Sequence, residues 1–75
     1  MSKMLGYQVY YNEYLIGTYT SLSRTIGIVR HELEQIEVSN ESIEHFEEEC
    51  KHYLPLGLSA DYEKLLVMPI EITVG

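Results

Sequence analysis

A chain of 75 residues can build one small domain, and its net charge of −7 repels phosphate backbones and anionic lipid heads. Its one cysteine cannot form an internal disulfide, and no stretch approaches the roughly 18 apolar residues of a membrane span. A hydrophobic content of 45% with seven tyrosines argues against disorder. We therefore expect one folded domain over residues 1–75, located in the cytoplasm, that binds neither nucleic acid directly nor membranes.

The first predicted element is a β-hairpin over residues 5–19. Asn12-Glu13 marks the turn between its two strands. Asn12 tolerates the left-handed conformation that a tight turn needs, but Glu13 is a poorer second residue than glycine, so a longer loop is an alternative. The first strand is indicated by the alternation of Tyr7, Val9 and Tyr11 with Gln8 and Tyr10.

A two-residue turn also predicts which residues share a face of the sheet. Val9 then faces Ile16 and Tyr7 faces Thr18 on one side. The other side, which we call the tyrosine face, carries Tyr10, Leu15 and Tyr19.

The segment after the hairpin predicts an amphipathic helix that is capped by Ser21 or Ser23. Residues 25–29 are mediocre helix formers, so a short strand is the alternative there, and we favour the helix. Its apolar stripe, at steps of four and three residues, consists of Leu22, Ile26, Val29, Leu33 and Ile36.

A second helix is predicted to begin at Ser39 or Asn40, either of which can cap it. Pro55 and Gly57 end it, since proline cannot continue a helix and glycine favours its termination. Its apolar stripe consists of Ile43, Phe46, Cys50, Tyr53 and Leu54.

The C-terminal part predicts a short third helix from Ser59 to Leu66 and then a strand. Ile70, Ile72 and Val74 alternate with polar residues, and Pro69 should lie at the first residue of this strand or on a sheet edge. The predicted fold class is α+β, with the order β-β-α-α-α-β. A small antiparallel or mixed sheet of three strands, made by the hairpin and the C-terminal strand, packs against two to three helices.

An acidic run is the strongest candidate for a functional surface. Between Glu32 and Glu49 the chain has eight glutamates and no lysine or arginine, so this segment contributes −8 and the remainder sums to +1. Carboxylates spaced along a helix can replace DNA phosphates, which predicts a partner protein with a basic, nucleic-acid-binding surface. The alternative is a solvated face that only keeps the protein soluble. The predicted partner-binding glutamates are Glu34, Glu37, Glu41, Glu44, Glu47 and Glu48.

The tyrosine face is the second candidate surface. Five tyrosines crowd into the 13 residues from Tyr7 to Tyr19. Tyrosine is enriched at protein interfaces because it combines a large contact area with a polar tip. We predict that Tyr10, Leu15 and Tyr19 contribute to partner binding, with packing inside the sheet and core as the alternative.

Catalytic, cofactor-binding and metal-binding residues are not predicted. Two histidines and two glutamates on the second helix have a spacing that can place two metal ligands on one face, but we favour surface histidines among acids. Cys50 lies in the apolar stripe, which predicts a buried structural thiol rather than a nucleophile. The four candidate metal ligands are His45, Glu48, Glu49 and His52.

In size, acidity and mixed architecture the chain resembles the small inhibitors that bacteriophages and mobile elements encode against host enzymes. These include anti-CRISPR, anti-restriction and uracil-DNA glycosylase inhibitor proteins. The resemblance is one of composition and covers no motif. It transfers no residue roles. Our hypothesis is a non-enzymatic, DNA-mimic-like inhibitor that docks its acidic helix on a basic groove. The alternatives are an assembly module that forms a homodimer through the tyrosine-rich hairpin or a sheet edge, and a small-ligand binder.

Overall fold

The computed structural model describes residues 2–74, which fold into a four-stranded sheet covered on one face by two helices. The predicted α+β class is therefore confirmed. A one-turn 3-10 helix, Leu54–Leu56, follows the second helix. The strands are β1 (Ser2–Tyr11), β2 (Tyr14–Tyr19), β3 (Ala60–Tyr62) and β4 (Leu65–Val74), and the helices are α1 (Leu22–Gln35) and α2 (Asn40–Tyr53).

The sheet has the strand order β2-β1-β4-β3, and all neighbouring strands are antiparallel. β1 and β4 form the central pair, from Ser2 opposite Val74 to Tyr11 opposite Leu65. β2 and β3 are shorter and flank this pair only near the turns. Consequently the beginning of β1 and the end of β4 project as a two-stranded ribbon.

The predicted third helix at residues 59–66 is wrong, and the sheet has four strands rather than three. Ala60–Tyr62 form β3, and a turn in which Glu63 has a φ of 52° leads into β4. An isolated helix of two turns is costly to nucleate, whereas β3 gains its hydrogen bonds from a strand that already exists. Pairing with Val67 also buries Ala60, which is 4% exposed.

The hairpin has the predicted two-residue turn. Asn12 and Glu13 have φ values of 51° and 73°, so both turn residues are left-handed, as a type I′ turn requires. The backbone N–H of Asn12 donates to the carbonyl of Lys64 at 2.9 Å, which ties this turn to the turn between β3 and β4. The two turns therefore lie side by side at one end of the sheet.

The predicted register of the hairpin is wrong beyond its first pairs. Val9 pairs with Gly17 rather than Ile16, because a β-bulge makes Ile16 an extra residue on β2. Past the bulge, Tyr7 pairs with Tyr19 and not with Thr18 as predicted. The side chain of Tyr19 therefore points toward the helices. Ile16 and Tyr19 both pack against the core as a result. Burial of an aromatic ring in place of a threonine is the physical reason for the bulge.

α1 begins at the N-cap residue Ser21, whose Oγ accepts a hydrogen bond from the first turn of the helix. Residues 25–29 are helical, which confirms the prediction that we favoured. Thr25, Ile26 and Val29 are buried, so their packing outweighs their low helix propensity. The Thr25 hydroxyl donates to the Ser21 carbonyl at 2.8 Å, which satisfies the buried polar group.

α1 ends in a Schellman motif. The Val38 N–H donates to the Leu33 carbonyl and the Glu37 N–H donates to the Glu34 carbonyl, each at 3.1 Å. Glu37 takes the left-handed position of the motif, with a φ of 62°. α2 then begins directly, with Ser39 as its N-cap. The short connection holds the ends of both helices close together.

The core lies between the helices and the sheet. Phe46 is the largest fully buried side chain, and its ring centroid lies 5.9 Å from that of Tyr62 on β3. The helices therefore cover only the flanked part of the sheet and leave the projecting ribbon exposed. The buried apolar residues are Tyr7, Val9, Ile26, Val29, Leu33, Ile43, Phe46, Cys50, Leu54, Ala60, Leu65 and Val67.

Candidate protein-interaction surfaces

Five exposed glutamates, called the acidic patch, lie on the helical layer around the α1–α2 connection. Three of them follow one another on α2 at steps of three and four residues, so they share one side of the helix about 4.5 and 6 Å apart along its axis. Within residues 2–74, Glu48 is the one member that has an ion pair, with its Oε1 3.4 Å from Lys51 Nζ. The members are Glu34, Glu37, Glu41, Glu44 and Glu48.

Arg30 joins α1 to α2 at the border of the acidic patch. Its guanidinium donates to both carboxylate oxygens of Glu47, from Nε at 3.3 Å and from Nη2 at a shorter distance. This hydrogen bonding is the largest cause of the raised pKa of Arg30; partial desolvation opposes it, and the charges of Glu34 and Glu44 add to it. The Glu47 side chain is only 14% exposed and its carboxylate is bound by Arg30. We therefore do not count Glu47 in the acidic patch.

The candidate metal ligands on α2 are divided among separate contacts. His45 Nε2 lies 3.0 Å from Glu49 Oε1, whereas Glu48 faces a lysine. The ring of His52 packs edge-on against the neighbouring tyrosine, with centroids 5.0 Å apart. No group of three or more histidine, cysteine, aspartate or glutamate side chains that could hold a metal ion occurs in residues 2–74.

Cys50 is a buried thiol, as predicted. It is 0% exposed, and burial raises its pKa to about 12, with smaller contributions from the charges of Glu49 and Glu47. The thiolate, which is the nucleophilic form, is therefore suppressed at neutral pH. Cys50 packs in the core between α2 and the sheet.

The bulge in β2 separates the residues of the predicted tyrosine face. Tyr10 and Leu15 pair with each other on the face away from the helices, where Leu15 is 52% exposed. Tyr19 lies on the helix side, and its ring lies so close over Gly17 that a Cβ there would be 2.5 Å from the tyrosine hydroxyl. The expectation that Tyr10, Leu15 and Tyr19 share a face is therefore wrong, whereas their role in partner binding stays a prediction.

The face of the sheet away from the helices is mainly apolar, and we call it the open face. Side chains alternate along β1 and β4, and because Val9, Leu65 and Val67 are buried under the helices, the even-numbered residues point away. Its apolar members are Met4, Tyr10, Leu15, Leu66, Met68, Ile70 and Ile72.

Polar residues on the open face are few. The Tyr10 hydroxyl donates to Gln8 Oε1 at 2.9 Å, and the Gln8 amide donates to the hydroxyl of Thr18 on the neighbouring strand at 3.5 Å. Among the strand positions in the described part of the chain, Asp61 on the short edge strand β3 is the one charged residue on this face. A Cβ on Gly6 would collide with the Ile72 side chain, so glycine lets Ile72 lie across β1 and keeps the surface flat.

One signal in the sequence could have identified the open face. Residues 65–68 are four consecutive apolar residues, and such a run is typical of a strand that is apolar on both sides. The predicted third helix includes the beginning of this run instead. The alternation at Ile70 and Ile72 correctly predicts a strand with an apolar side, but it carries no information on whether that side meets the helices.

A shallow depression of about 500 Å³ lies at the end of the open face near the two turns. It is widely open to solvent, so it lacks the enclosure of a typical small-molecule site. Its lining residues are Tyr10, Asn12, Glu13, Glu63, Lys64, Leu66 and Met68.

Neither helix in the described residues is long and apolar enough to cross a membrane. Comparison of this chain with protein-family models, with curated proteins and with solved structures finds no match. Its function is therefore inferred from the geometry and charge of its own residues.

Proposed function

We propose that this protein is a non-enzymatic binder that docks its acidic patch on the basic surface of a nucleic-acid-handling protein and inhibits that protein by occupying its groove. The observation that carries the proposal is the concentration of net negative charge on one layer of the fold. Residues 22–53 contain eight glutamates against three lysines or arginines, so they account for −5 of the net −7. One of the three cations, Arg30, is engaged by Glu47.

The spacing of the carboxylates also supports a basic groove as the target. Glu41 and Glu48, with Glu44 between them, lie seven positions apart on α2, which is about 10.5 Å of helix axis. One strand of duplex DNA carries a phosphate about every 3.4 Å of its axis. The three carboxylates are spaced about 5 Å apart, so they reproduce a line of negative charge at a somewhat lower density.

Among the described residues only Glu48 of the patch has an ion pair, so the field of the other four carboxylates should attract a basic partner before contact. Such steering increases the association rate and makes binding strongly dependent on salt. It also has a cost within the chain, because like charges at steps of three and four residues destabilise a helix by about 0.2 to 0.5 kcal/mol per pair. A role of these glutamates in binding would explain why the chain keeps them although they destabilise the helix.

The test is capture of basic proteins by the immobilised chain. The probe is the fraction of a cell lysate that heparin retains, applied at low salt with and without excess duplex DNA. We expect a protein that binds the chain, that duplex DNA displaces, and that leaves the chain as salt rises through about 0.5 M. Capture that persists in the presence of both excess DNA and high salt contradicts the proposal.

Matched triple variants show whether the acidic patch is responsible. Replacement of Glu41, Glu44 and Glu48 by Gln should weaken binding about 10- to 100-fold, since three lost charge contacts are each worth about 0.5 to 1 kcal/mol. The control replaces three exposed glutamates outside the helical layer and changes the net charge equally. Equal weakening by the control would contradict a specific patch. The control residues are Glu13, Glu63 and Glu71.

A further inference from the structure

We propose that the open face is the interface of a homodimer, in which the sheets of two copies of this chain pack face to face. The proposal goes beyond the acidic patch and is independent of it, because the two surfaces lie on opposite sides of the fold. Leu15 and Met4, on this face, are 52% and 41% exposed. A mainly apolar surface of this kind on a small protein marks a site of association.

The area of the open face is close to that of the smallest specific dimer interfaces. With strands about 4.8 Å apart and a rise of about 3.3 Å per residue, the ten-residue pair of β1 and β4 covers roughly 320 Å² of plane, and β2 and β3 add roughly 140 Å². Two copies therefore bury on the order of 900 Å² of plane, and the accessible surface of upright side chains is larger. This lies near the lower end of specific interfaces, about 1,000 to 1,200 Å², so we expect a reversible dimer with a Kd of about 1 to 100 μM.

The distribution of charge identifies a second copy as the occupant. A basic partner is attracted to the helical layer, whereas the strands of the open face carry one acid, Asp61, and the turns at its end carry Glu13 and Glu63 beside Lys64. Two negatively charged copies repel each other less when their open faces meet than when their acidic layers meet. Packed sheets lie about 10 Å apart and a helix is about 10 Å thick, so the two acidic layers would lie about 30 Å apart, well beyond the Debye length of about 8 Å.

The shape of the open face fits sheet-on-sheet packing. Ile72 lies across Gly6 and fills the gap that the glycine would leave, so β1 and β4 present an even surface. Twisted sheets of this kind pack with their strands aligned within about 30°. A two-fold axis between them makes every interface residue occur twice, so a single substitution alters the interface in both copies.

Sedimentation equilibrium between about 5 and 500 μM protein tests the proposal, with neighbouring substitutions as a matched pair. Met4 and Leu5 are adjacent on β1 and similarly exposed, at 41% and 36%, but their side chains lie on opposite faces of the ribbon. We expect Met4→Lys to weaken the dimer and Leu5→Lys to leave it unchanged. Met68→Lys, nearer the centre of the face, should weaken it at least about tenfold because it buries an unpaired charge twice.

Control measurements separate loss of the dimer from loss of folding. Far-UV circular dichroism and thermal unfolding at low concentration verify that each variant folds. The dimer should persist at about 0.5 M salt, because its interface is apolar and salt screens the repulsion between copies. A wild-type chain that stays monomeric at 500 μM overturns the proposal, and so does a dimer that Leu5→Lys abolishes while Met68→Lys does not. The triple Gln variant of the acidic patch should dimerise like the wild type, so failure of one proposal is distinguishable from failure of the other.

Discussion

Glu37 is a residue whose backbone conformation conflicts with its side chain. It occupies the left-handed position of the Schellman motif that ends α1, with a φ of 62°, whereas Gly57 fills the corresponding position after the 3-10 helix, with a φ of 81°. Residues with a Cβ pay about 1 to 2 kcal/mol in this conformation. The chain tolerates this strain because the Schellman motif supplies hydrogen bonds to the last carbonyls of α1.

We expect Glu37→Gly to unfold with a free energy about 1 kcal/mol higher than Glu37→Ala, because both variants lose the same charge and only glycine removes the Cβ. Urea denaturation at a low protein concentration measures the difference. Equal stability of the two variants would show that the left-handed position is not strained.

Burial of Cys50 makes stability depend on pH. The pKa of the thiol is about 12 in the folded chain and about 8.5 in an unfolded one, so the unfolded state releases its proton first. The stabilising contribution is complete below about pH 8.5 and is lost as pH rises toward 12, at up to about 1.4 kcal/mol per pH unit.

The measurement compares wild type with Cys50→Ala between pH 7.5 and roughly pH 10.5, with urea as denaturant. Tyrosines and lysines also titrate in this range, but they are common to both proteins. We therefore expect the stability of the wild type to fall faster with pH than that of the variant. Parallel curves would contradict a protonated buried thiol.

Helix ends depend on local hydrogen bonds that the sequence only partly determines. Ser21 and Ser23 are both acceptable caps by residue type, and the structure assigns the role to Ser21, whose Oγ accepts from the Arg24 N–H at 3.2 Å. Ser23 lies inside the first turn of α1, where serine is a weaker helix former than alanine.

The two serines should respond in opposite directions to alanine. Ser21→Ala should lower the free energy of unfolding by about 1 kcal/mol, and Ser23→Ala should leave it unchanged or raise it by a few tenths of a kcal/mol. Thermal and urea denaturation of both variants measures this. A loss of stability in Ser23→Ala that equals the loss in Ser21→Ala would contradict the assigned cap.

Elements with strong periodic patterns were predictable, and elements that depend on a neighbour were not. The stripe that begins at Ile43 predicted α2, although its member Tyr53 is exposed and Leu54 belongs to the 3-10 helix. Asn12-Glu13 predicted the turn of the hairpin. The bulge at Ile16 was not predictable, because it follows from the burial of Tyr19 against helices that are distant in sequence. β3 likewise depends on β4, so its three residues have no strong signal of their own.

At the scale of the whole molecule, the acidic patch and the open face are separate surfaces, and further exposed apolar residues at Ile36, Tyr53, Leu56 and Leu58 belong to neither. The acidic patch lies on the helical layer, and the open face lies on the other side of the sheet. This arrangement allows one side to attract a basic partner while the other meets a second copy. A dimer of this kind presents two acidic patches outward, and it can bind a partner with two basic sites more tightly than one copy does.

Salt should stabilise the folded chain through the acidic patch. The pairs Glu41–Glu44 and Glu44–Glu48 each cost about 0.2 to 0.5 kcal/mol at low ionic strength, so screening should recover about 0.4 to 1 kcal/mol. Thermal unfolding at a fixed low protein concentration, from about 0.02 to 0.5 M salt, measures the change.

The triple Gln variant at positions 41, 44 and 48 should show a smaller response to salt, because the repelling charges are gone. The triple variant at positions 13, 63 and 71, which has the same net charge, should respond like the wild type. If both variants lose the response equally, the effect belongs to net charge and not to the patch.

The sequence by itself determined the α+β class, helix α2, the hairpin turn and the concentration of glutamates on one segment, and it favoured α1 over a strand at residues 25–29. Each of these depends on periodicity, residue type or charge within a short stretch of chain. Most members of the two predicted apolar stripes are buried or half-buried, but Ile36 and Tyr53 are exposed. Only the tertiary structure decided that Glu47 is held by Arg30, that Tyr19 turns toward the helices and that Met68, Ile70 and Ile72 point away from them. The physical reason is that these outcomes depend on which strand lies beside which, and on how many faces of the sheet two short helices can cover.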